Sequence, residues 1–477
     1  MKISIMMKLK TKYRIKLLFC ALVTFLFLGT SCQSPKEDKV KGPSFIVIDN
    51  LSDLKLYAAK DNVKIRLKSG NYQIDEAESI RFLRFTGSNS HYDLTGVRFM
   101  VDTKLFSRKD LKISNDGNSM YCAIEISGNH VTMEGLYIET YGDKPGRQSK
   151  NKIFNIVGED VTLKNAEIRT AGSNPYGYGS LFGLGGGDVR KMNGIRVGYP
   201  AKDVKLIGCK VHMRAMGHAI FLQGAENTLI EDCHVDGLLR TTGAILAETS
   251  GYMFDKDFYA KKPKHAHKPG YVEGTIIGLD GKILPGEIIS LSEDGIRIYP
   301  EYNGHPTKNT TIKDCTVFQM RRGICTGLST SGDKVINCQV GECVATGFNV
   351  GSNDSIINCR ADAKFAEAFG VPYTKAKNAY VEMEILDSRD GMANSLLAKI
   401  NGSGHEVKIK TENPEYIPET MVIKLATWES YGNFHKNATM HATNIKLDNQ
   451  TQTKVLLLPG TVNEDVEGIG EVVKVEQ

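Results

Sequence analysis

The sequence predicts an all-β chain folded as a single elongated domain, a right-handed parallel β-helix, on three observations. A unit of short strand, turn and second short strand ending in Asn/Asp-Cys or a similar pair recurs about every 21 to 30 residues. A second set of short strands, each begun by a glycine, recurs beside it. Composition agrees: 47 Gly and 14 Pro but one Trp among 477 residues describe a turn-rich β chain. This length exceeds what one compact core usually holds, whereas a stack of coils grows without thickening.

Taken from the start, Lys8, Lys10, Lys12, Arg14 and Lys16 precede the apolar run Leu17 to Leu28, then Gly29, Thr30, Ser31 and Cys32. This pattern predicts a secretory signal peptide over residues 1–31, its apolar run being too short for an ordinary membrane span. A Cys directly after small residues resembles a bacterial lipobox, which implies lipidation of Cys32. The alternative is an ordinary signal peptide with an incidental Cys. Lys36-Glu37-Asp38 resembles the export tag of Bacteroidetes-type surface lipoproteins. The resemblance implies a lipid anchor in the outer membrane and exposure at the cell surface, with membrane contact through the N-terminal lipid only. Residues 32–45 are then a lipidated tether and residues 46–477 the β-helix.

The repeats set the expected coils. Val131-Thr-Met-Glu-Gly135, Val161-Thr-Leu-Lys-Asn165, Val204-Lys-Leu-Ile-Gly-Cys209, Thr228-Leu-Ile-Glu-Asp-Cys233, Thr311-Ile-Lys-Asp-Cys315, Lys334-Val-Ile-Asn-Cys338 and Ser355-Ile-Ile-Asn-Cys359 share one pattern. Export implies an oxidising compartment, where the eight cysteines other than Cys20 and Cys32 are disulfide candidates. Cys209, Cys233, Cys315, Cys338 and Cys359 nevertheless fall at one place in the repeat, which predicts an interior ladder of thiols. No CxxC or Cys/His metal spacing occurs. Gly194, Gly217, Gly243, Gly295, Gly323 and Gly347 align six coils by their strand-opening glycine. Insertions are expected near 172–191, rich in Gly and Tyr, and near 248–292, which carries Lys261, Lys262, Lys264, His265, His267 and Lys268.

Aligned positions of adjacent coils lie about 4.8 Å apart, so columns predict surface chemistry. Three residues before the glycine, Lys191, Arg214 and Arg240 form a cationic column, continued by Ser292 and Met320. At roughly 5 Å and an effective dielectric of about 20, neighbouring cations repel by on the order of 3 kcal/mol, which a bound anion relieves. The alternative is that these side chains fan out into water. Two residues after the glycine, Arg196 and Arg297 share a column at a gap of about 14 Å, the scale of a few sugar units. His218 falls in an otherwise apolar column, as a core histidine or as a group that polarises substrate or takes a proton. Tyr299, Tyr176 and Tyr178 are candidate acids or bases, or stacking residues. The pairs Glu231-Asp232 and Glu293-Asp294 are acceptable to Ca²⁺, though neither forms a recognisable calcium loop. The formal charge of +5 by itself argues for neither nucleic acid nor membrane.

The glycine-turn coils and Asn-Cys ladder resemble the parallel β-helix polysaccharide lyases, the pectate-lyase-like group that includes alginate and chondroitin lyases. The opening Val63-Lys-Ile-Arg-Leu-Lys-Ser-Gly-Asn-Tyr72 resembles their first coil, and the resemblance spans most of residues 60–460. It implies β-elimination on an anionic, uronate-containing polysaccharide, by a monomer, with no certain cofactor and Ca²⁺ a candidate. Under that resemblance Lys191, Arg214 and Arg240 neutralise the carboxylate or act as base, with help from His218 or Tyr299. Arg196, Arg297 and Tyr178 then bind neighbouring sugars. Two alternatives stand beside it: a non-catalytic surface glycan-binding or adhesion protein, and a polygalacturonase-like hydrolase, whose Gly-His-Gly and Arg-Ile-Lys motifs Gly217-His218 and Arg297-Ile298 echo without the Asp partners.

Overall fold

The computed structural model describes residues 44–112, 120–142, 151–182, 189–260, 276–278, 280–327, 332–391, 395–427 and 440–476, and residues 45–477 form one unit. Residues 1–43, with the signal peptide, Cys32 and most of the tether, and the basic cluster at 261–268 lie outside the described residues.

The unit is a right-handed parallel β-helix. Among the described residues, thirteen strands from Arg81–Phe85 to Val472–Lys474 stack in parallel into one face, called here the site face. The rest of each coil supplies two shorter strands, or a single strand in the C-terminal coils, to a second, bent parallel sheet of twenty-two strands. One coil shows the plan. Met192–Gly198 lies in the site face, Lys205–Ile207 and Lys210–Met213 lie in the bent sheet, and the chain returns to the site face at Ile220–Gln223. Alternation sends every second side chain inward, so Phe154, Ile195, Ile220, Ile296, Ile324 and Phe348 stack in register as one buried column. The helix Leu51–Ala58, begun by Asn50, whose Oδ1 accepts from the Asp53 amide at 2.8 Å, lays Leu54 and Ala58 against the first coils.

The bend between the two shorter strands explains the Asn/Asp-Cys pairs. Asn165, Gly208, Asp232, Asp314, Asn337 and Asn358 occupy the left-handed backbone region there, at φ between 49 and 62°. Asn, Asp and Gly tolerate this conformation best. The carboxamides also bond along the stack: Asn358 Nδ2 donates to Asn337 Oδ1 at 2.9 Å, and Asn337 Nδ2 to Asp314 Oδ1 at 3.0 Å. The next residue turns inward. Cys209, Cys233, Cys315, Cys338 and Cys359 are buried free thiols, as the sequence predicts. Replacing Asn337 by Leu, which loses the ladder bonds and strains the left-handed turn, is expected to cost about 1–3 kcal/mol in chemical denaturation, and Asn337→Gly less.

At another corner, a buried acid pair adds a pH dependence. The Asp333 amide donates to Asp354 Oδ1 at 3.0 Å, and the Gly351 amide to Asp354 Oδ2 at 2.6 Å. Burial, with the charge of Asp333 second, pushes the Asp354 carboxyl up to about 7. A carboxyl raised on folding contributes stability that is complete below its unfolded pKa, near 4, and is lost as pH climbs through the folded value. The unfolding midpoint is therefore expected to carry an Asp354-dependent fall between about pH 4 and 7. Asp354→Asn should remove that fall, as thermal denaturation across this range would show.

Register corrects the glycine alignment. Gly194, Gly295, Gly323 and Gly347 open equivalent strands, but Ile220 pairs with both Ile195 and Ile296, so the residue level with those glycines is Ala219. Gly217 is two residues early. It is glycine because a Cβ would come within 2.4 Å of the Met192 carbonyl oxygen, not because it starts the strand. Gly243 belongs to no coil: it sits in the short helix Thr242–Leu246, capped by Thr241 Oγ1. Lys191, Arg214 and Arg240 consequently form no column, and His218 is level with the polar Asn193 and Asp294. Arg196 and Arg297 are two steps apart, about 10 Å, with Phe221 between them.

The insertion between the Ile220 and Ile296 strands starts from an antiparallel pair, Leu239–Thr241 with Ile288–Ser290. It shares an apolar cluster with the preceding excursion, including Tyr178, Leu181, Phe182, Met253 and Ile283. Val189, Met216 and Leu291 join that cluster. Each lies two residues before a polar residue of the site face: Lys191, His218 and Glu293.

Candidate active site

Three successive coils bring that polar group together. Asn193 Oδ1 accepts from the His218 amide at 2.9 Å and so fixes the backbone from which the imidazole projects. Nε2 of His218 lies 2.8 Å from the Tyr299 hydroxyl and 3.4 Å from Glu293 Oε2. Nδ1 accepts from the Asp294 amide at 3.4 Å and lies 3.6 Å from Asp294 Oδ2. Lys191 Nζ donates to Glu293 Oε1 at 2.6 Å, and Arg321 Nη2 to Asp294 Oδ1 at 2.7 Å. The Arg297 guanidinium lies 5.2 Å from the Tyr299 ring centroid, with Nη1 3.6 Å from Asp294 Oδ2. Its Nε and Nη1 have no hydrogen-bond partner.

Burial sets the electrostatics. His218 and Arg297 are buried and Tyr299 is half-buried. Burial pushes the His218 pKa down to about 4 against the pull of Glu293 and Asp294, leaving a neutral imidazole near neutral pH. Burial and then Glu293 raise the Tyr299 phenol above its usual range. Burial also opposes charge on both carboxylates, but the surrounding cations outweigh it. Lys191 and Arg321 hold Glu293 below its ordinary value, and Arg321, Arg322 and Arg297 do so for Asp294. The site therefore holds two ionised carboxylates, a neutral histidine, a protonated tyrosine and an arginine with unused donors.

The other residues singled out from sequence lie elsewhere. Arg214 pairs with Asp236, which also bonds His212, on the bent sheet. Arg240 Nη2 donates to Glu248 Oε1 at 2.6 Å, and the Tyr178 hydroxyl to Glu248 Oε2 at 2.8 Å, a knot that ties the insertion to the preceding excursion. Tyr176 is exposed. Arg196 is buried beneath Tyr302, 4.7 Å from its ring centroid, and donates to Asn155 Oδ1 and Gln223 Oε1 at 2.9 Å each. Among the described residues no group of three His, Cys, Asp or Glu side chains is arranged to hold a metal ion. Glu231, one calcium candidate, accepts from Lys313 at 2.7 Å. Glu293 and Asp294, the other pair, face the site's cations.

Asn193, Arg321 and Phe221 were missed in the sequence. The signal was present. Asn193 and Asp294 each immediately precede a strand-opening glycine, and His218 precedes Ala219 in the same way, a pattern visible once coils are aligned on inward Ile residues.

No known family model matches the chain, and no curated protein sequence is similar to it. Among solved structures it is similar to PfbA, a surface adhesin of Streptococcus pneumoniae, at 12% identity over 89% of this chain and 88% of that one, TM-score 0.42. It is similar to a PL6 alginate lyase in complex with a trisaccharide at 12% identity over 90% and 86%, TM-score 0.46. It is also similar to a mannuronic acid specific family 6 lyase from human gut microbiota at 8% identity over 88% and 82%, TM-score 0.43.

Proposed function

We propose that the chain is a polysaccharide lyase that cleaves an anionic, uronate-containing polysaccharide by β-elimination at Tyr299, His218 and Arg297. The observation that carries this reading is the His218–Tyr299 contact of 2.8 Å beside an arginine with donors to spare. Elimination needs three things: a cation at the uronate carboxylate, a base for the C5 proton, and a proton for the departing glycosidic oxygen. Arg297 supplies the first, because a guanidinium matches a carboxylate through paired N–H donors.

Tyr299 and His218 supply the other two. Nδ1 accepts from the Asp294 amide, so the neutral imidazole carries its proton on Nε2 and donates a hydrogen bond to the Tyr299 oxygen. That bond and the Arg297 guanidinium stabilise the phenolate formed when Tyr299 gives its proton to solvent. The phenolate takes the C5 proton, the C4–O bond breaks as the C4–C5 double bond forms, and the same phenol protonates the leaving oxygen, which restores the phenolate. Hydrolysis fits less well, since a glycosidase needs one carboxylic acid kept protonated by a raised pKa, and both carboxylates here are held ionised.

Incubation with alginate, pectate, chondroitin sulfate and hyaluronan tests the reading. The expected result is a rise in the ultraviolet absorbance of an unsaturated uronate with one polymer. New reducing ends without that absorbance would mean a hydrolase, and retained binding without either would mean a surface glycan-binding protein. The N-terminal pattern supports the rest of the proposal: export, lipidation at Cys32 and anchoring at the cell surface. Labelled palmitate should enter the chain when it is expressed in a lipoprotein-processing bacterium, and Cys32→Ala should abolish this.

A further inference from the structure

We infer that the site is a dead-end pocket that accepts the end of a polysaccharide chain, so that cleavage is exolytic. This rests on the lyase reading and adds the mode of attack. An enzyme that cuts within a polymer must let the chain pass on both sides of the reacting sugar, so its binding floor must be open in two opposite directions.

Along the helix axis the floor is closed on both sides. Asn155, Arg196, Phe221, Arg297, Cys325 and Asn349 follow one another at the same outward position of the site face. They span five steps, about 24 Å. All six are buried, Arg196 at 1% exposure and Cys325 at 0%. The sheet itself does not require this, because the same position at the N-terminal end carries Arg84, whose side chain is 46% exposed. On the Arg196 side, the cover includes Tyr302, from the short hairpin Glu301–Tyr302 with His305–Pro306.

Along the strand direction the floor is closed at one end. Three of the strands reach the site from the insertion core, through Val189, Met216 and Leu291, two residues before Lys191, His218 and Glu293. The opposite end is where Tyr299 is half-exposed. A sugar reaching Arg297 and the Tyr299–His218 pair therefore enters past Tyr299 and meets wall on the three remaining sides. A terminal residue fits that enclosure and an internal one, with chain continuing both ways, does not.

The test uses the unmodified protein on whichever polymer gives the ultraviolet rise, with products separated by size at low conversion. The expected result is that small unsaturated saccharides of one size appear from the first time point while the remaining polymer keeps its length. Doubling the number of chain ends at constant mass, by shearing, should double the initial rate below saturation. A ladder of intermediate oligosaccharides with early shortening of the polymer would overturn the exolytic inference alone. A rate indifferent to shearing would do the same. Absence of the ultraviolet rise with every polymer would overturn the lyase reading, and this inference with it.

Discussion

Replacing Tyr299 by phenylalanine is expected to lower the elimination rate by about 10²- to 10⁴-fold, the usual contribution of a positioned acid–base group. Polymer binding should be nearly unchanged. The substitution removes one oxygen from a half-buried ring, leaving the packing against Phe221 and the cation contact from Arg297 available. The loss should therefore appear in kcat, with KM nearly constant, because the hydroxyl is used when protons move and not when the carboxylate docks. A comparable fall for His218→Ala, and a Tyr299→Phe/His218→Ala double variant no worse than either alone, would be the signature of two groups acting as one unit. Independent losses that multiply would argue against that coupling.

The second large effect is on stability. Lys191→Met should destabilise the fold by roughly 3–5 kcal/mol, because it removes the 2.6 Å ammonium partner of Glu293 and leaves a buried carboxylate with less compensation. Most of that loss should return in Lys191→Met/Glu293→Gln, which removes the uncompensated charge together with its partner. Chemical denaturation of the two single variants and the double variant measures the coupling directly. If Lys191→Met were as stable as the parent, the ion pair would not be holding the site together.

Much of the architecture was legible in the residues, and the reasons are local. An Asn, Asp or Gly before each cysteine of the ladder reports a left-handed bend, and that bend repeats because stacked coils share one backbone path. Asn337 and Cys338 illustrate this, one bonded along the ladder and the other buried beside it. The site was only partly legible. Glycine marks both a strand opening, at Gly295, and a close backbone approach, at Gly217, and the letter alone does not distinguish them. Shifting that coil by two residues moved His218 from beside Asn193 and Asp294 into an apolar column, and created a cationic column from residues that pair with separate carboxylates. The Thr241-capped helix added a false coil at Gly243. Contacts that define the site also bridge long stretches of chain, 81 residues between His218 and Tyr299 and 102 between Lys191 and Glu293. No repeat pattern encodes which carboxylate meets which cation across such distances.

In the proposed elimination the bond breaks without water entering the product. The most direct measurement is mass spectrometry of the smallest product after digestion in ¹⁸O-labelled water. Elimination predicts an unsaturated saccharide one water lighter than its saturated counterpart, with no label placed by the cleavage step. A saturated product whose cleaved end carries oxygen from the labelled water, beyond the exchange seen in an enzyme-free control, would contradict it.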